Sequence, residues 1–183
     1  MNSKTHIIQE IKGLYKIIPM NFLRRTPGVF FDNLNADAFP RIDSIDRVIH
    51  LGGAISPGPI GDVHRPWYMH PNQDDNLIVL HGTRYVDIYK PDHGKIEQFV
   101  VTPNQIMKNN EIIFDGPAML VWPRQVFHRI ESSKETGSAS INFATHYAGY
   151  DLNDNFNIYD VNIETGEYRV IREGFKDQEP GDM

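Results

Sequence analysis

Between His6 and Ile18 the apolar residues Ile7, Ile8, Ile11, Leu14, Ile17 and Ile18 recur at intervals that gather on one helical face, with Glu10, Lys12 and Lys16 opposite. The pattern predicts an amphipathic helix that Pro19 limits. Its stripe suits core or dimer packing better than a membrane surface, because the polar face is not strongly basic. From about residue 40 the pattern changes to short β-rich runs: Asp46–Leu51, His64–Met69, Asn76–His81, Thr83–Tyr89, Ile96–Val101, Glu111–Phe114, Ala118–Trp122, Phe127–Glu131, Ser140–His146 and Tyr168–Arg172. Turn residues such as Gly82, Asp92-His93-Gly94, Asp115-Gly116-Pro117 and Thr165-Gly166 separate them. This layout predicts a sandwich or barrel rather than an α/β domain.

Within the run from Asn76 to Tyr89, Leu77 and Val79, then Tyr85, Asp87 and Tyr89, alternate with other residues around Gly82, which reads as two strands bent at a glycine. The Gly- and Pro-rich segment from Gly52 to Gly61 cannot supply a regular ladder and reads as a loop of the kind that borders sites. The expected organisation is a helix and arm over 1–39, a barrel over 40–176 and a polar, frayed tail over 177–183.

Composition narrows the chemistry. At 183 residues the chain suits one domain. It has no cysteine, so any metal is left to His, Asp, Glu, Gln, Tyr or backbone ligands, a set that suits Fe, Mn, Ni or Zn. With 18 basic and 24 acidic residues the net charge is −6, the wrong sign for a protein that works by neutralising nucleic-acid phosphates. No apolar run approaches the ~20 residues of a membrane helix, and no basic region with an apolar core opens the chain. The expected address is cytoplasmic, with neither nucleic acid nor membrane as a partner.

Two segments concentrate reactive side chains. One runs Trp67-Tyr68-Met69-His70-Pro71-Asn72-Gln73-Asp74-Asp75-Asn76 into an apolar strand and Gly82. The other runs from Gly116 through Pro123 to His128: an apolar strand, a proline-initiated turn and a histidine that points inward if its parity is right. Each residue also has a plainer reading. His128 and His70 could be core histidines satisfied by backbone carbonyls, Asp75 could cap its own turn, and Trp122, Phe127, Tyr85 and Tyr147 could be core aromatics. His146, at the end of its strand, is a further candidate for the cavity wall.

Over about residues 60 to 145 the chain resembles the cupin superfamily. The first cupin motif is G(X)5HXH(X)3–4E(X)6G; counting back from Gly82 puts Asp75 in the glutamate position and His70 in that of the second histidine, with Tyr68 in that of the first. The second motif is G(X)5PXG(X)2H(X)3N. Pro123, Gln125 and His128 take its Pro, Gly and His positions, and Ser132 replaces the asparagine. The leading glycines, Gly61 and Gly116, each sit one residue early.

The resemblance implies an all-β, double-stranded β-helix (a cupin jelly-roll barrel), which here would follow the N-terminal amphipathic helix. It also implies a divalent metal on the matching residues His70, Asp75 and His128, with Gln73 or His64 as a completing ligand. Two imidazoles and a carboxylate are also the ligand set expected of a non-haem iron centre. Tyr68 and His146 are then the candidate catalytic residues.

Three functions stay open. The first is a metal-dependent oxygenase, isomerase or lyase acting on a small polar, carbohydrate-like molecule. The second is a metal-free sugar-nucleotide epimerase or isomerase. Residues Asn76–Gly82, Val86–Tyr89 and Pro123–His128 also resemble the deoxysugar epimerase branch, in which an imidazole base and a tyrosine acid exchange protons beside a sugar carbonyl. That branch carries a lysine before the apolar strand, where this chain has Asn76. The third is a binding barrel without turnover. Arg65, Arg84, Arg124 and Arg129 are candidates for holding a carboxylate or phosphate, against the commoner fate of surface solvation. A homodimer through an exposed β face is expected.

Overall fold

A computed structural model of the chain describes residues 6–177. Its strands are β1 (Gln9–Ile11), β2 (Tyr15–Pro19), β3 (Asn21–Thr26), β4 (Val29–Asn33), β5 (Ser44–His50), β6 (Ile55–Ser56), β7 (Trp67–Met69), β8 (Gln73–Gly82), β9 (Arg84–Tyr89), β10 (Glu97–Thr102), β11 (Gln105–Lys108), β12 (Glu111–Asp115), β13 (Ala118–Trp122), β14 (Phe127–Ser132), β15 (Ser138–His146), β16 (Ile158–Val161) and β17 (Tyr168–Arg172). One short helix, α1 (Leu152–Asn155), lies between β15 and β16.

All the strands except β3 and β4, which pair only with each other, form two facing sheets. One runs β1-β2-β13-β8-β15-β5; the other runs β12-β11-β10-β9-β14-β7-β16-β17, with β6 paired to β14. Alternation along the central strands decides what lies between them. On β8 and β13, Asp75 stands beside Trp122 and Leu77 beside Leu120; on β9 and β14, Val86 stands beside Ile130 and Ile88 beside His128. The apolar members of these pairs join Val79, Phe99, Val101 and Ile106 in the main core. Burial of such side chains is the dominant favourable contribution to folding, on the order of 25 cal/mol per Å² of apolar surface. Where the alternating inward positions turn polar, the barrel keeps a cavity.

The all-β jelly roll agrees with the fold expected from the strand pattern; the N-terminal helix does not occur. His6–Ile18 contains instead the hairpin β1–β2, turning at Lys12-Gly13-Leu14 with Gly13 at φ +78°. The apolar spacing suits a strand pair as well as a helix, and the isoleucines that supply most of it favour the extended backbone. Tertiary pairing decides between the two: Ile17 lies beside Leu120 and Ile18 beside Met119 on β13. Ile17 and Tyr15 enter the main core, while Ile18 packs with Met119, Val121 and Ala38 on the opposite face. Of the expected frayed tail, Asp177 pairs with Arg172 and the rest lies outside the described residues.

Two backbone details match the motif positions. Gly82 sits at φ +69°, and a Cβ there would lie 2.1 Å from the Gly137 carbonyl oxygen, so no other residue fits without backbone movement. Gln125, in the position of the second motif's glycine, also adopts a left-handed φ of 64°, and its N–H donates to the His70 carbonyl. Among the described residues no helix is long and apolar enough to cross a membrane.

Candidate active site

The two segments that stood out in the sequence converge inside the barrel. Asp75 is the third residue of β8, His70 lies just past β7, and His128 is the second residue of β14, directly opposite Tyr68 of β7. His70, Asp75 and His128 are all buried and line a cavity of about 180 Å³ together with Tyr68, Trp122, Asn142 and Phe156.

Hydrogen bonds orient the three groups. The Asp75 carboxylate receives the amide N–H groups of Gln73 (2.8 Å) and Asn142 (2.7 Å) on Oδ1, which leaves Oδ2 facing the imidazoles. His70 Nε2 stands 3.2 Å from that oxygen and His128 Nε2 stands 3.9 Å from it. On the far side of each ring, Nδ1 faces a backbone carbonyl, that of Asn155 for His70 and that of Val126, at 3.2 Å, for His128. A carbonyl only accepts, so both Nδ1 atoms carry protons. For His70 the consequence is definite. Its Nε2 also faces an acceptor, so the ring stays in this geometry as a doubly protonated imidazolium. Among the described residues His128 Nε2 has no partner within hydrogen-bonding distance, Asp75 standing 3.9 Å away, so this nitrogen presents its lone pair to the cavity.

The electrostatics agree. Burial alone would depress the His70 pKa, but the adjacent Asp75 charge and the hydrogen bonds to Asp75 and Asn155 raise it above the ordinary histidine value. His128 is pushed down to about 4 by burial and by the neighbouring His70 charge. Burial would raise Asp75; His70 outweighs it and holds the carboxyl well below its usual range. Burial pushes the Tyr68 phenol up, only partly offset by a hydrogen bond with Ser56, so Tyr68 keeps its proton at neutral pH. The cavity thus sets side by side, with ring centres 4.8 Å apart, two imidazoles whose surroundings drive their pKa values in opposite directions.

The remaining predicted residues are placed differently. Gln73 was expected as a metal ligand, but its amide oxygen accepts from Asn155 (3.0 Å) while its nitrogen donates to Asp75, so it braces the carboxylate rather than offering a free donor atom. His146 was expected as a catalytic partner; it does not line the cavity, and its ring lies flat on Tyr150 at 3.7 Å. His64 likewise lies outside the cavity wall. Asn76, where the epimerase branch has lysine, holds the sheet together through the Asn142 side chain and the Phe143 carbonyl.

Several site residues carried no signal in the sequence. Asn155 and Phe156 come from α1 and the residue after it, where Asp151 caps the helix by accepting from the Asn153 N–H at 2.9 Å. Phe156 stands edge-on to His70. Asn142 reaches both Asp75 and Asp46 from the middle of β15.

The donor set also suits a divalent ion in kind and orientation. The ligand atoms of His70, Asp75 and His128 lie within 4.8 Å of one another, and carbonyl-anchored Nδ1 atoms leave both Nε2 atoms facing inward, as in many metal centres. Ligands of one tetrahedral ion at ~2.0–2.1 Å stand roughly 3.4 Å apart, so His128 would have to close on Asp75 by about half an ångström and the widest pair, up to 4.8 Å apart, by about 1.4 Å.

No family model matches the chain and no curated protein matches it. Solved structures do. A sugar 3,4-ketoisomerase from Thermoanaerobacterium thermosaccharolyticum, in complex with TDP, is 14% identical with a TM-score of 0.54, over 78% of this chain and 85% of that one. A dTDP sugar isomerase from Desulfovibrio desulfuricans is 16% identical with a TM-score of 0.57, over 79% and 83%. A dTDP-6-deoxy-D-glucose-3,5-epimerase from Legionella pneumophila, in complex with dTDP-4-keto-L-rhamnose, is 14% identical with a TM-score of 0.55, over 80% and 73%. At these identities the likeness establishes the fold alone, an all-β jelly-roll barrel shared with these sugar isomerases and epimerases.

Proposed function

We propose that the chain is an isomerase or epimerase of a keto sugar, moving protons between atoms of the sugar without a metal. The observation that carries this reading is a pair of imidazoles in one cavity with different surroundings: His70 Nε2 lies 3.2 Å from the Asp75 carboxylate, while His128 Nε2 lies 3.9 Å from it. An acid and a base whose environments drive their pKa values apart are what carbonyl isomerisation needs. The solved structures of similar fold act on TDP-linked sugars, which favours this reading over metal-dependent chemistry.

In the proposed reaction His128 Nε2 takes the proton from the carbon beside the sugar carbonyl. The electron pair released moves onto the carbonyl oxygen, where the His70 imidazolium and the Tyr68 phenol stabilise it. Return of the proton to the same carbon from the other face gives an epimer. Delivery to the former carbonyl carbon, with the hydroxyl proton of the neighbouring oxygen passing to the former carbonyl oxygen so that the neighbouring oxygen becomes the new carbonyl, gives the isomer. Asp75 keeps His70 charged, and Gln73 and Asn142 keep Asp75 in place. Trp122 and Phe156 give the sugar apolar walls.

The test is solvent exchange. The protein is incubated in D₂O with TDP-4-keto-6-deoxyglucose, the ligand of one of the similar ketoisomerase structures, and the sugar is followed by mass spectrometry. Carbon-bound deuterium should appear, persist in a chelator and vanish in His128→Asn. No exchange would overturn the reading. Exchange that a chelator abolishes would favour the second reading, which the convergence of three ligand atoms supports: His70, Asp75 and His128 hold a divalent ion that polarises the carbonyl. Elemental analysis of tag-free protein, comparing wild type with His70→Ala and His128→Ala, separates the two independently.

A further inference from the structure

Four arginines were candidates for an anion, and the structure separates them. Arg65 is paired with Glu131 and Arg129 with Asp87, while Arg124 is exposed and lies over the Tyr147 ring. Arg84 is different: it is 1% exposed and lines the same cavity as His70, Asp75 and His128. Its guanidinium donates through Nε to Ser138 Oγ (2.9 Å) and through Nη2 to the Val48 carbonyl (3.2 Å), both neutral acceptors. Among the described residues no carboxylate forms an ion pair with it and Nη1 has no acceptor. A buried cation without a counter-ion is costly, and natural structures rarely keep one unless something supplies the opposite charge.

We propose that the Arg84 end of the cavity is an anion subsite, so that the molecule held against His70, Asp75 and His128 carries a carboxylate or phosphate group that docks on Arg84. The fork geometry of a guanidinium suits either group, and Arg84 keeps unsatisfied donors to offer.

Position along the barrel gives the spacing. Arg84 is paired in register with Ser132, four residues along β14 from His128, which separates the two ends by roughly 13 Å of strand at ~3.3 Å per residue. The Arg84 side chain lines the cavity between these two ends. The cavity volume of about 180 Å³ suits a small ligand, being smaller than the roughly 300 Å³ at which drug-sized ligands begin. The nearest titratable group at that end supplies no counter-charge, and the cavity's carboxylates, Asp46 and Asp75, form no ion pair with Arg84. His50, beside Ser132 at the same end, is held down to about 4 by burial and by the Arg84 charge. Burial lowers Arg84 itself to about 10, which still leaves it charged at neutral pH.

The inference rests on the proposed function only for the identity of the reacting end, and its test reads binding without turnover. Calorimetry on the full chain at low salt compares D-glucose, D-glucuronate, glucose 1-phosphate and TDP, in wild type, Arg84→Gln and Arg84→Lys. At least one anion should bind tenfold or more tightly than glucose. Arg84→Gln should erase that preference and Arg84→Lys retain part of it. Preference for glucuronate assigns a carboxylate on the sugar; preference for glucose 1-phosphate or TDP assigns a phosphate oxygen. The Arg84 Nε–H NMR resonance of wild type should shift when the preferred anion is added, which keeps the test decisive if Arg84→Gln does not fold. Equal or absent binding of the anions and glucose, a preference that survives in folded Arg84→Gln, or an unmoved Arg84 resonance overturns the proposal. An anion preference without deuterium exchange leaves the subsite standing and removes the reaction.

Discussion

His128 and His70 differ by which acceptors surround them, and that difference is measurable. Activity should need His128 neutral and His70 charged, so the pH profile of turnover should be bell-shaped, with its acidic limb near pH 4 and its alkaline limb above the ordinary histidine value of 6.5. His128→Asn should cost about 10²–10⁴-fold in turnover with little change in the circular dichroism spectrum. Stability carries the opposite signs. The folded state holds His128 neutral, so its contribution is complete above pH 6.5 and is lost as pH falls toward 4. His70 is held charged, so its contribution is complete below 6.5 and is lost as pH rises through its raised pKa. The melting temperature, scanned from pH 4 to 9, should therefore fall toward both ends. At this scale His70, Asp75 and His128 were legible because motif spacing survives in a linear string. Asn142, Asn155 and Phe156 were not, because each reaches the cavity through strand pairing or a short helix that brings together residues 67 to 85 positions apart.

Elements tie these residues to the backbone. Gly82 turns β8 into β9 at a left-handed φ with the Gly137 carbonyl in the place a side chain would take, so Gly82→Ala should destabilise the chain by at least about 2 kcal/mol in a denaturant titration. The short helix α1 presents the Asn155 carbonyl to His70, and Asp151 caps it. Asp151→Ala should cost about 1 kcal/mol or less in stability but lower turnover more than substrate affinity, because a loosened α1 misplaces the imidazolium. Strand existence from residue 44 to 146 was largely readable from alternation and turn residues. The first hairpin was not. Ile7, Ile8, Ile11, Leu14, Ile17 and Ile18 satisfy a helical period, and the choice of strand came from the partner strand β13, which lies a hundred residues later.

For the whole molecule the open question is what covers the hairpin β3–β4. It stands outside both sheets and exposes the rings of Phe22, Phe30 and Phe31 close together on one hairpin. The homodimer expected from the sequence predicts a light-scattering mass of twice 21.0 kDa, and Phe30→Asp together with Phe31→Asp should shift it toward the monomer; a wild-type monomer would refute it. The sequence by itself determined the strand-rich architecture, the bend at Gly82 and the identity of the three polar groups at the barrel's centre, because periodicity, glycine and motif spacing act over a few residues. Only the tertiary structure decided that the N-terminal segment is a hairpin, that the surroundings of the two imidazoles drive their pKa values in opposite directions, and that Arg84 of the four arginines is buried in the cavity without a carboxylate partner among the described residues. Those properties depend on which carbonyls, carboxylates and cations face each group across the sheets, and strands far apart in the chain supply them.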